Sequence, residues 1–367
     1  MFNMKIIVYK SFLLFLAIVF LTSFSFQNPE NENLKRPKNI ILMIGDGMGL
    51  AQITAGMTYN KGSLYLKKAT HAGFVTTYSA SDYITDSAAS GTAMATGVKT
   101  NNGVIGKDST GVHLKTILEY AEENGLSTGL VSTSAITHAT PASFIAHVDS
   151  RIEYEEIASF FLWTDIDVFI GGGRAHFDNR EDGINYLDAF RSKGYQVLFN
   201  MRDISKVRSG KLAGLVAKEH PISHLEGRSN MLPVSTKTAL RILSDNLEGF
   251  FLMVEASQID WGGHGHNTYY IMTEVVDFDN AIKEAFDFAD RDGETLVLVT
   301  ADHETGGMSI VGGNLKKGMV RAKYSTEDHT GIMVPILAYG PGAELFSGIL
   351  DNTEIFEKMM FLYGFKK

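Results

Sequence analysis

The run Ile84-Thr85-Asp86-Ser87-Ala88-Ala89-Ser90-Gly91-Thr92-Ala93 places a serine directly after an aspartate, among small residues that favour a helix. A strand-like run, Gly73 to Ser79, lies just before it. A serine hydroxyl is a weak nucleophile at neutral pH until a base, a positive field or a metal stabilises its alkoxide. The chain contains no cysteine, so a thiol cannot take that role. The groups that could activate Ser87 are scattered: Asp46; Glu255 with Asp260, His264 and His266; and Asp302 with His303 and Glu304. Taken singly, an aspartate of this kind caps a helix or shapes a turn. Together, carboxylates and imidazoles without a thiolate suit Zn2+, alone or with Mg2+. Two such ions about 4 Å apart can hold both the attacking and the leaving oxygen of an in-line displacement. The chemistry indicated is that of a metal-assisted hydrolase.

Elements distant in sequence must bring these groups together. Short apolar, β-branched runs recur at Asn39–Ile44, Gly73–Tyr78, Thr128–Val131, Val168–Ile170, Gln196–Phe199, Phe250–Val254, Thr295–Thr300 and Val334–Tyr339. Helical spacing fills most of the gaps, as in Leu114, Ile117, Leu118 and Ala121, and again in Ile271, Val275, Phe278 and Ile282. Gly125 ends the first of these helices, and Pro233 starts another that runs to about Leu247. The alternation predicts an α/β fold: a three-layer α/β/α arrangement with a central, mostly parallel sheet covered on both faces. In such sheets ligands bind beyond the carboxyl ends of the strands. Asp46, Ser87, Glu255 and Asp302 each follow a strand-like run, so four strand ends deliver reactive groups to one edge. Asp260 and His264, four apart, share a face if their segment is helical. Residues 200–230 carry mixed charge and Gly210, Gly214 and Gly227, and read as a surface excursion from a single domain.

The 367 residues are 44% hydrophobic and 20% charged, enough for one large core. A net charge of −9, spread without an acidic block, argues against a nucleic-acid partner. At the N-terminus, Lys5 and Lys10 precede the apolar run Phe12 to Leu21 and then Thr22-Ser23-Phe24-Ser25. This is the pattern of a secretory signal peptide over residues 1–26, cut near Ser25, with residues 27–367 as the catalytic domain. The apolar run falls short of the about 20 residues a membrane-spanning helix needs. The expectation is therefore a periplasmic or secreted protein that is not integral to a membrane. Without disulfides, its stability rests on core packing and bound metal.

Five blocks occur in order between about residues 38 and 342: Asp46-Gly47-Met48-Gly49; Thr85-Asp86-Ser87-Ala88-Ala89; Val254-Glu255 with Gln258-Ile259-Asp260 and His264; Thr300-Ala301-Asp302-His303-Glu304-Thr305-Gly306-Gly307; and Asp328-His329-Thr330-Gly331. They resemble the signature blocks of the alkaline phosphatase family. The resemblance implies hydrolysis of small phosphate monoesters to an alcohol and inorganic phosphate, with Ser87 phosphorylated on the way. It implies two zinc ions per subunit, one held by Asp260, His264 and His329, the other by Asp302, His303 and Asp46. Asp46, Glu255 and Thr140 would bind a third ion, usually Mg2+ in this family. Arg151 matches the arginine that grips phosphate, and its planar fork suits two oxygens at once. Members are mostly homodimers.

Two positions depart from the best-known bacterial pattern. His138 stands where that pattern has an aspartate near the third ion, and an imidazole there favours zinc. Trp261 replaces a lysine that faces phosphate, which weakens product binding. Only about two dozen residues separate Gly307 from His329, so the insertion that forms a crown in many members is short or absent. Phosphodiesterase or sulfatase activity of the same superfamily is the alternative reading, although Ser87 lacks the local pattern that sulfatases convert to formylglycine. A secreted zinc-binding protein without activity would show a damaged constellation, and every expected position is filled. His71, His113, His176, His220 and His224 lie outside the blocks and read as surface or hydrogen-bonded residues. Ser90 reads as structural, and His147 as a local packing residue on a helix before Arg151.

Overall fold

Runs of apolar residues without alternation belong in the middle of a sheet covered on both faces. The computed structural model, which describes residues 34–366, places them there. The central strands are β1 (Asn39–Gly45), β2 (His71–Thr76), β3 (Ser127–Ala135), β4 (Val168–Gly172), β5 (Gln196–Leu198), β6 (Leu212–Leu215), β7 (Phe250–Ala256) and β8 (Thr295–Thr300). Four short strands follow near the site: β9 (Glu304–Thr305), β10 (Ser309–Asn314), β11 (Met319–Lys323) and β12 (His329–Thr330). The chain then returns as β13 (Val334–Tyr339) and β14 (Gly348–Asp351). The ten-stranded sheet has the order β14-β2-β13-β8-β1-β7-β3-β4-β6-β5. Every residue of β1, β7 and β8, its middle, is buried.

Only β13 runs against its neighbours. It starts from β12 at the carboxyl edge of the sheet, so it must travel back toward the other edge. Two groups of helices cover the faces and complete the three layers. On one face the Thr268–Asp292 helix packs between the Leu50–Tyr59 and Met231–Leu243 helices, burying Ile271, Val275, Phe278 and Ile282. On the other the Ser87–Thr96 helix packs against the Asn352–Tyr363 helix. Register then sets the site. Ile44 lies level with Glu255 on one side and Thr300 on the other. Asp46 and Asp302, two residues beyond Ile44 and Thr300, therefore leave their strands at one height, with Glu255 two residues below Asp46 on the adjacent strand.

Several sequence expectations shift. The strand expected at Gly73–Tyr78 spans His71–Thr76. Leu114 lies outside its helix, which begins at Ile117 under a Thr116–Glu119 capping box. Pro233 is the third residue of a helix that runs from Met231 to Leu243. The largest correction concerns residues 200–230, because Leu212–Leu215 is a buried strand between β4 and β5. Four residues, two of them Ala213 and Gly214, are too brief an apolar signal to stand out. The residues read as a signal peptide lie outside the described ones.

The rest of that segment is pinned to the long helix by a buried ion cluster. Arg228 donates to Glu274 and, at 2.8 Å, to Asp277, and all three side chains are almost wholly buried. Removing the cation would strand two buried carboxylates. Arg228→Met should cost about 3–5 kcal/mol, measured by denaturant unfolding. A loss below about 1 kcal/mol would show that the cluster holds nothing together.

Candidate active site and metal centres

Ser87 opens the Ser87–Thr96 helix and is 2% exposed. Its small neighbours let the whole helix bury itself, and Gly91 leaves room for Ser143, which a Cβ would meet at 2.8 Å. Asp86 is the N-cap and accepts from the Ala89 amide at 2.9 Å. Its other oxygen accepts from Gly103 N at 3.0 Å and from Arg151 Nη1 at 2.9 Å. One carboxylate thus fixes the start of the serine helix and the arginine fork together. The Ser87 Oγ lies 3.3 Å from His303 Nε2.

That imidazole is not arranged as in a serine protease. Its Nε2 also faces Asp302 Oδ2 at 3.3 Å and Asp46 Oδ1 at 3.5 Å, while its Nδ1 side meets the Thr305 hydroxyl at 3.2 Å. Burial, with His329 adding to it, holds the His303 pKa well below the usual range, so the ring is neutral. Four donor atoms converge at this point. Asp46, Asp302 and His303 form one of three groups whose ligand atoms lie within 4.8 Å of one another.

A second group joins Asp260 and His264, one turn apart on the Gln258–His264 helix, to His329 of β12. The two imidazole Nε2 atoms approach Asp260 at 3.3 Å and 3.6 Å. His329 Nδ1 donates to the Thr85 carbonyl at 2.9 Å, and His264 Nδ1 to the Glu327 carbonyl. Backbone carbonyls thus take the Nδ1 protons and leave Nε2 aimed at the centre, as in metal-binding imidazoles. The third group is Asp46, His138 and Glu255. Glu255 Oε2 accepts from Ser132 at 2.5 Å, while its Oε1 and the buried Thr140 hydroxyl have no partner.

Crowding makes the same point energetically. Burial, then the Asp302 charge, raises the Asp46 pKa well above the carboxylate range. Burial and Asp260 push Asp302 up to about 7. Both oxygens of Asp46, Oδ2 of Asp302 and Oε1 of Glu255 are buried without a hydrogen bond. Groups of this kind are costly alone and are relieved by a divalent cation. The donor sets therefore fit metal ions. Gly47 permits the close packing: its φ is +70°, and a Cβ would meet Asp260 Cα at 2.8 Å.

His138, a member of the third group, meets Trp261 there, with ring centroids 6.4 Å apart and nearly perpendicular. His138 Nε2 is 3.5 Å from Arg151 Nη2, and burial, then the Arg151 charge, lowers its pKa to about 3. His220, set aside in the sequence reading, packs edge-on against both rings, 5.6 Å from His138 and 5.0 Å from Trp261. Its Nδ1 accepts from Ala135 N at 3.0 Å. Glu304 stays out of the site, held by Gln52, Thr330 and the Met308 amide. His266 bonds the Thr326 carbonyl instead of joining His264, and Ser90 donates to the Asp302 carbonyl. His147 lies outside any helix and bonds Gly106 and Glu119. Sequence reasoning gave no role to Thr305, which stands inside the fourth block and donates to Asp260, and missed the hydroxyls that support Glu255. Only a place inside that block, or at the end of β3, signalled them.

The alkaline phosphatase family model matches residues 37–325, most of the chain. The chain belongs to the alkaline phosphatase family. Alkaline phosphatase 4 of Bacillus subtilis (strain 168) is 36% identical, aligning over 86% of this chain and 87% of its own. The Escherichia coli (strain K12) alkaline phosphatase is 33% identical, over 90% and 87%. Among solved structures, the alkaline phosphatase of the Antarctic bacterium TAB5 is similar at a TM-score of 0.85 with 40% identity, covering 91% of this chain and all of that one. A histidine-to-aspartate mutant of the TAB5 enzyme has Mg bound in what is called its M3 site. As a family member the protein is a phosphoric monoester hydrolase that binds divalent metal. Among the described residues, no helix is long and apolar enough to cross a membrane.

Proposed function

We propose that this phosphatase works through a phosphoserine at Ser87, with metal ions in all three donor groups. The observation that carries the reading is Ser87 Oγ beside the Asp46–Asp302–His303 group, on the helix whose cap also orients Arg151. Zinc would be held by Asp260, His264 and His329, and by Asp46, Asp302 and His303. Mg2+, or Zn2+ where the imidazole of His138 selects it, would be held by Asp46, Glu255 and Thr140. When bound, these ions supply Lewis-acid stabilisation of charge on the attacking and leaving oxygens. The remaining work falls to the chain. Arg151 binds two non-bridging oxygens, and the Ser87–Thr96 helix turns its N-terminus toward the same charge. Ser87 Oγ gives up its proton and bonds to phosphorus as the ester P–O bond breaks, and the departing alcohol takes a proton. Water then attacks the same phosphorus, the P–Oγ bond breaks, inorganic phosphate leaves and Ser87 regains its proton. His138 and Trp261 tune the third ion and the release of phosphate.

Two in-line displacements at one phosphorus should leave its configuration unchanged. Hydrolysis or transfer from a chiral phosphate monoester, analysed by phosphorus NMR, should give net retention. Net inversion would mean that water attacks the substrate directly. Diester or sulfate-ester turnover above that of the monoester would favour the alternative superfamily activities.

Export by residues 1–26, a catalytic domain over 27–367 with little or no crown, and a homodimer complete the proposal. The compact β10–β11 hairpin occupies the stretch between Gly307 and His329, which supports an open site. Intact mass and light scattering of the exported protein should give a trimmed chain at twice its monomer mass. A full-length chain or a monomer would remove the corresponding part.

A further inference from the structure

At the edge of the sheet opposite the site, where β7 and β8 begin, the Met231–Leu243 and Thr268–Asp292 helices end side by side. A cavity of about 500 Å³ lies there. That volume is in the range of small-ligand sites. Four cations line it, Arg208, Lys237, Arg241 and Arg291, and Leu240 and Phe288 supply an apolar wall. Two acids line it as well, and both are occupied. Glu284 faces Lys237 at 3.3 Å, and Asp292 Oδ2 accepts from Asn39, Thr295 and the Glu294 amide.

The arginines are not balanced in this way. Arg241 donates to the Ser205 and Val207 carbonyls, and its Nε is buried without a partner. Burial, and then the like charge of Arg208, holds the Arg241 pKa below its ordinary value. The side chains of Arg208 and Arg291 make no hydrogen bond or close ion pair among the described residues, and the Arg291 charge acts only at longer range on Asp290, which Lys68 and Tyr339 already hold. Arg241 and Arg291 sit in the last turns of their helices, where cations answer the helix dipole. Arg208 is on neither helix, so the dipoles do not account for it. Nor does composition, because the chain carries a net charge of −9.

We propose that this cleft is a second, non-catalytic site for a small organic anion with a flat apolar body. Arg208 and Arg291 take the charged group, and the body lies against Leu240 and Phe288. Strands of six or seven residues separate it from Ser87, about 20 Å. Occupancy therefore reports separately from turnover.

The probe is 1-naphthalenesulfonate, titrated calorimetrically into the metal-loaded enzyme, with methanesulfonate and anionic phosphatidylglycerol vesicles as parallel arms. The naphthalene probe should bind. The Arg208→Gln, Arg291→Gln double variant should weaken it about tenfold while monoester turnover stays at wild-type level, which also reports that the variant is folded. Methanesulfonate should bind much more weakly. Absence of binding to wild type, or equal binding to the double variant, would overturn the site. Equal affinity for methanesulfonate would overturn the apolar half of the assignment. Binding to vesicles without binding of the free probe would overturn a small ligand in favour of a membrane surface.

Discussion

Ser87→Ala should lower kcat/KM for phosphate monoesters by at least about 10³-fold, with metal content unchanged. The loss should be chemical and not structural. Asp86 caps the helix, and Ala89 N and Arg151 keep their partner in the variant. Alanine already fills the next two positions, so the backbone accepts it. Ser90, the nearest other hydroxyl on the helix, is committed to the Asp302 carbonyl and to Asn352, and offers no substitute nucleophile. What survives should be slow direct attack by water on a phosphate still gripped by Arg151. Steady-state kinetics and elemental analysis of the same preparation make the test. Most of the activity persisting in a fully metallated variant would sink Ser87 as the nucleophile.

The parts legible in sequence were those with an unbroken physical signal. β8 and β13 match their apolar runs residue for residue, because every inner position of both strands is apolar. The stripe Ile271, Val275, Phe278 and Ile282 was equally plain. Register was not legible, yet it decides the site. Nothing in the sequence says that Ile44 lies level with both Glu255 and Thr300. The motif residues were found because their types are unusual together at strand ends. Their supports were not, since Ser132, Ser134 and Thr305 are ordinary hydroxyls in ordinary places. His220 shows the limit most clearly: no spacing links it to His138 or Trp261, and only the return of a loop fixed by Arg228 brings the three rings together.

Exhaustive chelation should abolish turnover and also lower Tm by about 5 °C or more. The second effect follows from the ligand geometry. Asp46, Asp302, Glu255 and Asp260 are almost wholly buried within three groups, two of which share Asp46, and several of their oxygens have no hydrogen-bond donor. A stripped site must either crowd like charges or hold protons on groups that ionise freely in the unfolded chain. Bound cations remove that cost in the folded state alone, so their removal is felt as lost stability and not only lost rate. Adding back zinc alone and then zinc with magnesium separates the groups. Zinc should restore most activity, because the two groups proposed to hold it beside the reacting oxygens combine imidazole with carboxylate. A further gain with magnesium would mark an oxygen-rich third group, and no further gain would mean that His138 makes that group a zinc site too. Full activity and an unchanged Tm after chelation would show that the orphaned carboxylates are satisfied by something other than metal, and the proposed division of labour would fall with them.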